Sequence, residues 1–148
     1  MPGEQLAIDI ASINTPSLGG TKFWVLITDK NTKMKWIFFL KQKNEIPAQV
    51  MMFMKKLFGT GFKVKFVCMD NAGENEILQT MIKNKYLGIK IERTTPGTPQ
   101  QNGVIERAFA TLWVRVRSML NAVKLDARIR TKLWAECART STKWTTLW

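Results

Sequence analysis

Histidine is absent from the 148 residues, and cysteine occurs only twice. Without histidine, Ser-His-Asp and Cys-His catalysis are excluded, and so is a zinc site of mixed Cys/His ligation. Polar chemistry then rests on carboxylates, on lysines, or on a metal that carboxylates hold, and magnesium or manganese suits oxygen ligands best. Cys68 and Cys137 lie in apolar stretches far apart in the chain. They read as reduced core thiols of an intracellular protein. No apolar run approaches the ~18 residues of a membrane span, and the N-terminus lacks the basic-then-apolar order of a signal peptide. Acidic residues are scarce, 11 against 23 Lys and Arg, for a net charge of +12. That imbalance points to a polyanionic partner, nucleic acid first; a basic protein that is merely soluble is the plainer alternative.

The chain is 45% hydrophobic, enough for a real core, and its length suits one domain. Gln5 to Ile13 is short and Ile-rich and reads as a strand buried except at Asp9. Lys22 to Asp29 and Met34 to Leu40 follow as two more strands around a tight turn at Lys30-Asn31-Thr32, with Asp29 assigned to turn chemistry. Asn44 is the expected cap of a helix with Pro47 in its first turn and Val50, Met51, Phe53, Met54, Leu57 and Phe58 on its apolar face. Lys63 to Met69 reads as a buried strand ending at Asp70. A helix from Glu74 to Leu87 turns Ile77, Leu78, Met81 and Ile82 inward and stops at Gly88. Ile89 to Arg93 is the fifth strand. A last long helix begins either at Pro99, with Thr98 and Gln101 as a capping box, or nearer Asn102. Ile105, Phe109, Leu112, Val116, Met119 and Val123 recur along it at helical spacing, Lys124 to Asp126 end it, and an amphipathic segment runs from about Arg128 to Trp148.

This order predicts a mixed sheet: an antiparallel meander, then parallel additions through right-handed crossovers. It brings the first strand beside the end of the fourth, with the start of the long helix next to both. Three acids then converge: Asp9, Asp70 and Glu106. A carboxylate inside an apolar run is costly unless it is paired or binds a cation. For Asp9 alone, a bond to a neighbouring lysine is the competing reading. Lys63, Lys65, Arg115 and Arg117 are candidates for a phosphate-binding surface, although a solvated surface charge explains any one of them.

Thirty-five residues separate Asp70 from Glu106. The run Asp70-Asn71-Ala72-Gly73-Glu74-Asn75, the run from Thr95 through Pro96-Gly97-Thr98-Pro99-Gln100-Gln101-Asn102-Gly103-Val104-Ile105-Glu106 to Arg107, and Arg117-Ser118-Met119-Leu120 together resemble the Asp-Asp-Glu catalytic core of retroviral-type integrases. The copia-type retrotransposon branch is the most similar, and Leu133-Trp134-Ala135-Glu136 looks like the segment that follows the core there. The resemblance covers nearly the whole chain. It implies a ribonuclease-H-like α/β fold, a five-stranded mixed sheet with helices on both faces. It divides the chain into a core at 1–125 and a helical extension at 126–148.

The resemblance also implies DNA integration: metal-dependent processing of the element's 3′ ends and their transfer into target DNA. Asp9, Asp70 and Glu106 would be both the catalytic residues and the ligands of two Mg²⁺ or Mn²⁺ ions. Asn71, Gln101, Asn102, Gly103, Arg107 and Arg117 would line the DNA, although for the amides and Gly103 turn and cap chemistry is the alternative. Arg107 binds phosphate or pairs with a structural carboxylate. The implied partners are element and target DNA and further copies of the chain, with no membrane and no nucleotide cofactor, and the implied place of action is the nucleus. Trp24, Trp113, Trp134, Trp144 and Trp148 suggest more aromatic surface than one small core buries, hence a dimer through the late helices. Ala72 and Asn75 depart from the wider family, and no counterpart of the relatives' zinc domain stands in these residues. A catalytically inert or domesticated DNA-binding or oligomerisation module is the alternative reading.

Overall fold

The computed structural model describes the backbone of residues 4–69, 73–86, 88–93 and 99–145; within these, the side chains of 73–75, 93, 99–106 and 143–145 are outside the description. Three strands, β1 (Gln5–Ser12), β2 (Phe23–Asp29) and β3 (Lys35–Leu40), form the antiparallel meander. Strand β4 (Phe66–Met69) joins β1 in parallel, with Ala7 opposite Cys68, and β5 (Lys90–Arg93) joins β4 in parallel. The order across the sheet is β3-β2-β1-β4-β5.

Side chains alternate across a strand, so each strand feeds two cores. Leu6 and Ile8, Val25 and Ile27, and Val67 and Met69 point to one face. They pack there on Val50, Phe53, Met54 and Leu57 of helix α1 (Ile46–Gly59) and on Leu78 and Ile82 of helix α2 (Gly73–Lys85). Trp24 and Leu26 point to the other face. They meet Phe109, Leu112 and Val116 of helix α3 (Pro99–Ala122) and Trp134, Ala135 and Ala138 of helix α5 (Trp134–Thr145). Between these two helices lies the short α4 (Ala127–Arg130), capped by Asp126, whose Oδ1 accepts the Arg128 N–H at 2.8 Å.

Local chemistry sets the turns. Asp29 is fully buried, and its carboxylate accepts the Asn31 N–H at 3.1 Å and the Thr32 hydroxyl at 2.6 Å. That carboxylate organises the β2–β3 turn, the role its sequence context suggested. The long β1–β2 connection is tied down by the late helices: Trp134 Nε1 donates to the Thr15 carbonyl at 2.8 Å, and the Leu18 N–H donates to the Lys132 carbonyl at 3.1 Å. The C-terminal helices therefore brace the sheet.

Several local expectations are corrected. Ile77 is 60% exposed, because Leu78 and Ile82 already fill the inward stripe of α2 and Gln79 turns inward beside them. Asn44 does not cap α1; it sits inside a 3-10 turn (Lys43–Glu45), where the Glu45 carboxylate accepts the N–H groups of Lys41 and Gln42 at 3.0 and 3.2 Å. The fourth strand starts at Phe66 rather than Lys63. The long helix starts at Pro99, the earlier of its two expected positions. Trp24 and Trp134 are buried and Trp113 half-buried, so these three are core rather than spare surface. Trp24 carries the cluster, meeting Phe109 edge-on at 5.1 Å, Trp113 at 5.3 Å and Trp134 stacked at 6.4 Å between ring centroids. Trp144 and Trp148 lie outside the described side chains.

Candidate catalytic centre and nucleic-acid face

Asp9 sits in the middle of β1, opposite Leu26 of β2. Alternation places it on the α3/α5 face with Ala7 and Ala11. These two neighbours are small: Ala7 packs with Cys68, and Ala11 packs at the edge of the aromatic cluster. A carboxylate flanked by two alanines stands in a notch of the sheet surface. It is half-buried, and Oδ1 accepts the N–H of Ile10 at 2.9 Å. At the start of the strand, Glu4 pairs with Lys65 at 2.7 Å.

Two other elements converge on this notch. The parallel register sets Ala7 against Cys68, so β4 ends beside the stretch of β1 that leads to Asp9. Asp70 is the next residue in sequence after Met69 and lies outside the described residues, as does Asn71. Helix α3 crosses the same face, anchored by Phe109, Leu112 and Val116. Gln101, Asn102, Gly103 and Glu106 belong to the helix before that anchor, with their side chains outside the description. Of the three sequence-named acids, the structure thus gives the side chain of one and the helix carrying another. It also sets the strands preceding and bearing two of them side by side.

Arg107 and Arg117 are exposed on α3, and neither forms an ion pair among the described residues. Lys63 is exposed, whereas Lys65 is engaged by Glu4, which weakens its claim to a phosphate. The hydrogen bond from Lys65 holds the Glu4 carboxyl below the usual glutamate value. Cys68, on the Asp9 side of β4, is buried, and desolvation pushes its thiol up; Cys137 shifts the same way for the same first reason. Both are core thiols in character, poorly suited to act as thiolate ligands. Sequence reasoning named Arg115 but missed Lys33 and Lys35 beside it. The available signal was the period of β3, which puts Lys35 on the Asp9 face with Ile37 and Phe39.

No family model matches the chain. It is 36% identical over 127 residues to the retrovirus-related Pol polyprotein from transposon TNT 1-94 of Nicotiana tabacum, a match covering 84% of this chain. It is 29% identical over 108 residues, 72% of this chain, to the corresponding polyprotein from transposon RE2 of Arabidopsis thaliana. The chain spans only 9% and 7% of those two polyproteins. Among solved structures, the catalytic core domain of BIV integrase superposes with a TM-score of 0.64 at 14% identity, covering 95% of this chain and 82% of that one. A chain of the simian T-cell lymphotropic virus intasome, solved with PP2A regulatory subunit B56 gamma, superposes at 0.63 and 15% identity, covering 91% of this chain and 48% of that one. The structural likenesses establish the ribonuclease-H-like fold, and the polyprotein matches place this particular sequence within it. The chain belongs to the retroviral-type integrase catalytic cores, in the copia-type retrotransposon branch.

Proposed function

We propose that this chain carries out metal-dependent polynucleotidyl transfer: hydrolysis at the 3′ ends of element DNA, followed by joining of those ends to target DNA. The observation that carries the reading is the half-buried Asp9 in its alanine notch, on the one sheet face crossed by α3 and next to the end of β4. A half-buried carboxylate is stabilised by a bound cation. Its oxygens suit Mg²⁺ or Mn²⁺, and a set of three carboxylates fits the charge of two such ions. Asp9, Asp70 and Glu106 would hold the ions, which supply charge neutralisation at the phosphoryl group and a lowered pKa for the attacking hydroxyl.

The rest of the work falls to the chain itself. Bracing by α5 and the β1–β2 connection keeps β1 and α3 in fixed relation, so acids on separate elements hold their spacing. Arg107 and Arg117 lie exposed along α3, where they would bind phosphates and set the register of the DNA. Asn71, Gln101, Asn102 and Gly103 would meet the strand near the scissile phosphate. The net charge of +12 favours encounter with DNA at low salt. Further copies of the chain and action in the nucleus belong to the same reading.

The test is strand joining and nicking on a branched DNA substrate in Mg²⁺ or Mn²⁺, native chain against Asp70→Asn. Metal-dependent activity that disappears in the variant is expected. Equal DNA binding by both proteins with no cleavage by either would replace the enzyme with a DNA-binding module of the same descent.

A further inference from the structure

The two edges of the sheet are built differently. At one, β5 carries Lys90, Glu92 and Arg93 in a strand of four residues, the charged pattern that keeps an open edge from pairing with another chain. At the other, β3 carries Lys35 and then five apolar residues in a row, Trp36 to Leu40, all half-buried. Its pairing with β2 runs unbroken from Lys35 to Leu40.

The phase of the hydrogen bonds turns alternate backbone groups of β3 outward. The Asp29 N–H donates to the Met34 carbonyl at 2.9 Å, and the register then aims the N–H and C=O groups of Trp36, Phe38 and Leu40 at β2. Those of Ile37 and Phe39 point out of the sheet, and no hydrogen bond among the described residues takes them up. Beside this row lies a groove of about 300 Å³, lined by Trp36 and Phe38 of the strand, Phe53 and Leu57 of α1, and Phe62, with the exposed Lys56 among them. Phe53 meets Trp36 at 5.1 Å and Phe38 at 5.5 Å between ring centroids, so the floor is aromatic. Among the described residues the walls belong to β3, α1 and the segment after α1, which places the groove at the edge of the sheet rather than under its centre. The opposite face of the same edge is cationic. Lys35 shares the side of Ile37 and Phe39, and the Arg139 guanidinium lies 5.1 Å from the centre of the Phe39 ring.

We propose that the β3 edge takes up an extended segment of a partner protein in which apolar and acidic residues alternate. The backbone of that segment pairs with Ile37 and Phe39 and adds a strand beside β3. A strand spacing of ~4.8 Å sets its apolar side chains over the groove, and alternation turns its carboxylates toward Lys35 and Arg139. A second copy of this chain is the poorer occupant. Strand β3 offers no acid of its own. Antiparallel pairing of two copies centred on Ile37 sets Lys35 of each against Phe39 of the other, and so against the Arg139 that lies over that ring. Like charges then meet at both ends of the added pair. Docking at this edge requires neither the metal nor the three acids, so it goes beyond the proposed reaction.

The experiment uses the whole chain and a short labelled peptide of alternating leucine and glutamate, with a control of the same composition whose leucines and glutamates stand in separate blocks. Fluorescence anisotropy in EDTA measures binding, and amide hydrogen exchange by NMR locates it. The alternating peptide should bind saturably and more tightly than the block control, and it should slow exchange of the Ile37 and Phe39 amides. Ile37→Pro removes one outward donor and leaves the ladder to β2 in place. It should weaken binding about tenfold, the loss of one backbone hydrogen bond, whereas Ile37→Val should bind as the native chain does. Arg139→Glu should weaken binding as well, and thermal melts establish that each variant is folded. Equal binding of the block control, or no added protection at Ile37 and Phe39, would overturn the proposal and leave only the attraction of a basic chain for acidic peptides. Protection of those amides that rises with chain concentration in the absence of peptide, together with a dimer in sedimentation that Ile37→Pro abolishes, would give the edge to a second copy and overturn the partner reading. Asp70→Asn should bind the peptide like the native chain, so failure of the catalytic proposal and failure of this one are told apart.

Discussion

The two faces of the sheet are built from different residues. The α1/α2 face is filled by Leu, Ile, Val, Met and Phe, with few polar groups among them. The α3/α5 face holds an aromatic cluster around Trp24, and next to it Asp9, Cys68, Thr28, Lys35 and Arg115. Because the strands alternate, one stretch of β1 serves both, with Ile8 and Ile10 turned one way and Asp9 and Ala11 the other. The lesson is a division of labour at single-residue resolution. One face supplies largely apolar burial, and the other gives up part of its burial to polar groups.

Substitutions on the two faces should separate stability from chemistry. The largest effect expected is on turnover: Asp9→Asn should lower strand joining by ~10³-fold or more, about 4 kcal/mol of barrier. Its melting temperature should stay near the native value, since the amide fits the same notch. A large drop in melting temperature would make Asp9 a structural residue. Next comes the apolar face. Met54→Ala or Leu78→Ala, both at fully buried positions, should cost ~2–5 kcal/mol in urea unfolding, with activity per folded molecule preserved. Comparable loss of specific activity would mean that the faces are coupled.

Smaller effects sharpen the contrast. Cys68 is 2% exposed and Cys137 only half-buried, so a thiol reagent should label Cys137 first and Cys68 only as the chain opens. Both thiols are raised in the folded chain by desolvation. Their contribution to stability is complete below the unfolded thiol pKa and is lost as pH rises past it, so alkaline melts should fall and Cys68→Ala should flatten that fall. The smallest effect belongs to Glu4. Lys65 holds its carboxyl below the ordinary value, so the pair stabilises above that value and the benefit fades as pH drops through the lowered pKa. Lys65→Ala should return the Glu4 titration, followed by NMR, toward its ordinary value.

The sequence carried much of this division. The Ile-rich run Gln5 to Ile13 and the β-rich runs Lys22 to Asp29 and Met34 to Leu40 predicted the meander, and Asp29 beside the turn at Lys30-Asn31-Thr32 predicted its own turn. Glycine and proline around Pro96 to Pro99 announced a helix start. What was not legible depended on three-dimensional competition. Ile77 looked inward by spacing, but Leu78 and Ile82 take the buried stripe. The tryptophans looked like spare surface because nothing in the chain order says that α5 closes over Trp24 and Phe39. Arg115 is far from Lys35 in sequence and acts on its charge only through the packing of α3 on the sheet. For the acids, the Asp70 and Glu106 motifs pointed to a site, and the fold supplies the adjacency of β1 and β4; Asp70 and the side chain of Glu106 lie outside the described residues.

The most direct test of that convergence is a Mn²⁺ titration followed by the free-ion EPR signal, on the chain bound to a nicked duplex. The native chain should take up two ions per molecule, and Asp9→Asn and Glu106→Gln should each abolish or sharply weaken that uptake while DNA binding persists. Equal Mn²⁺ uptake by the native chain and both variants would contradict a centre shared between strand β1 and helix α3.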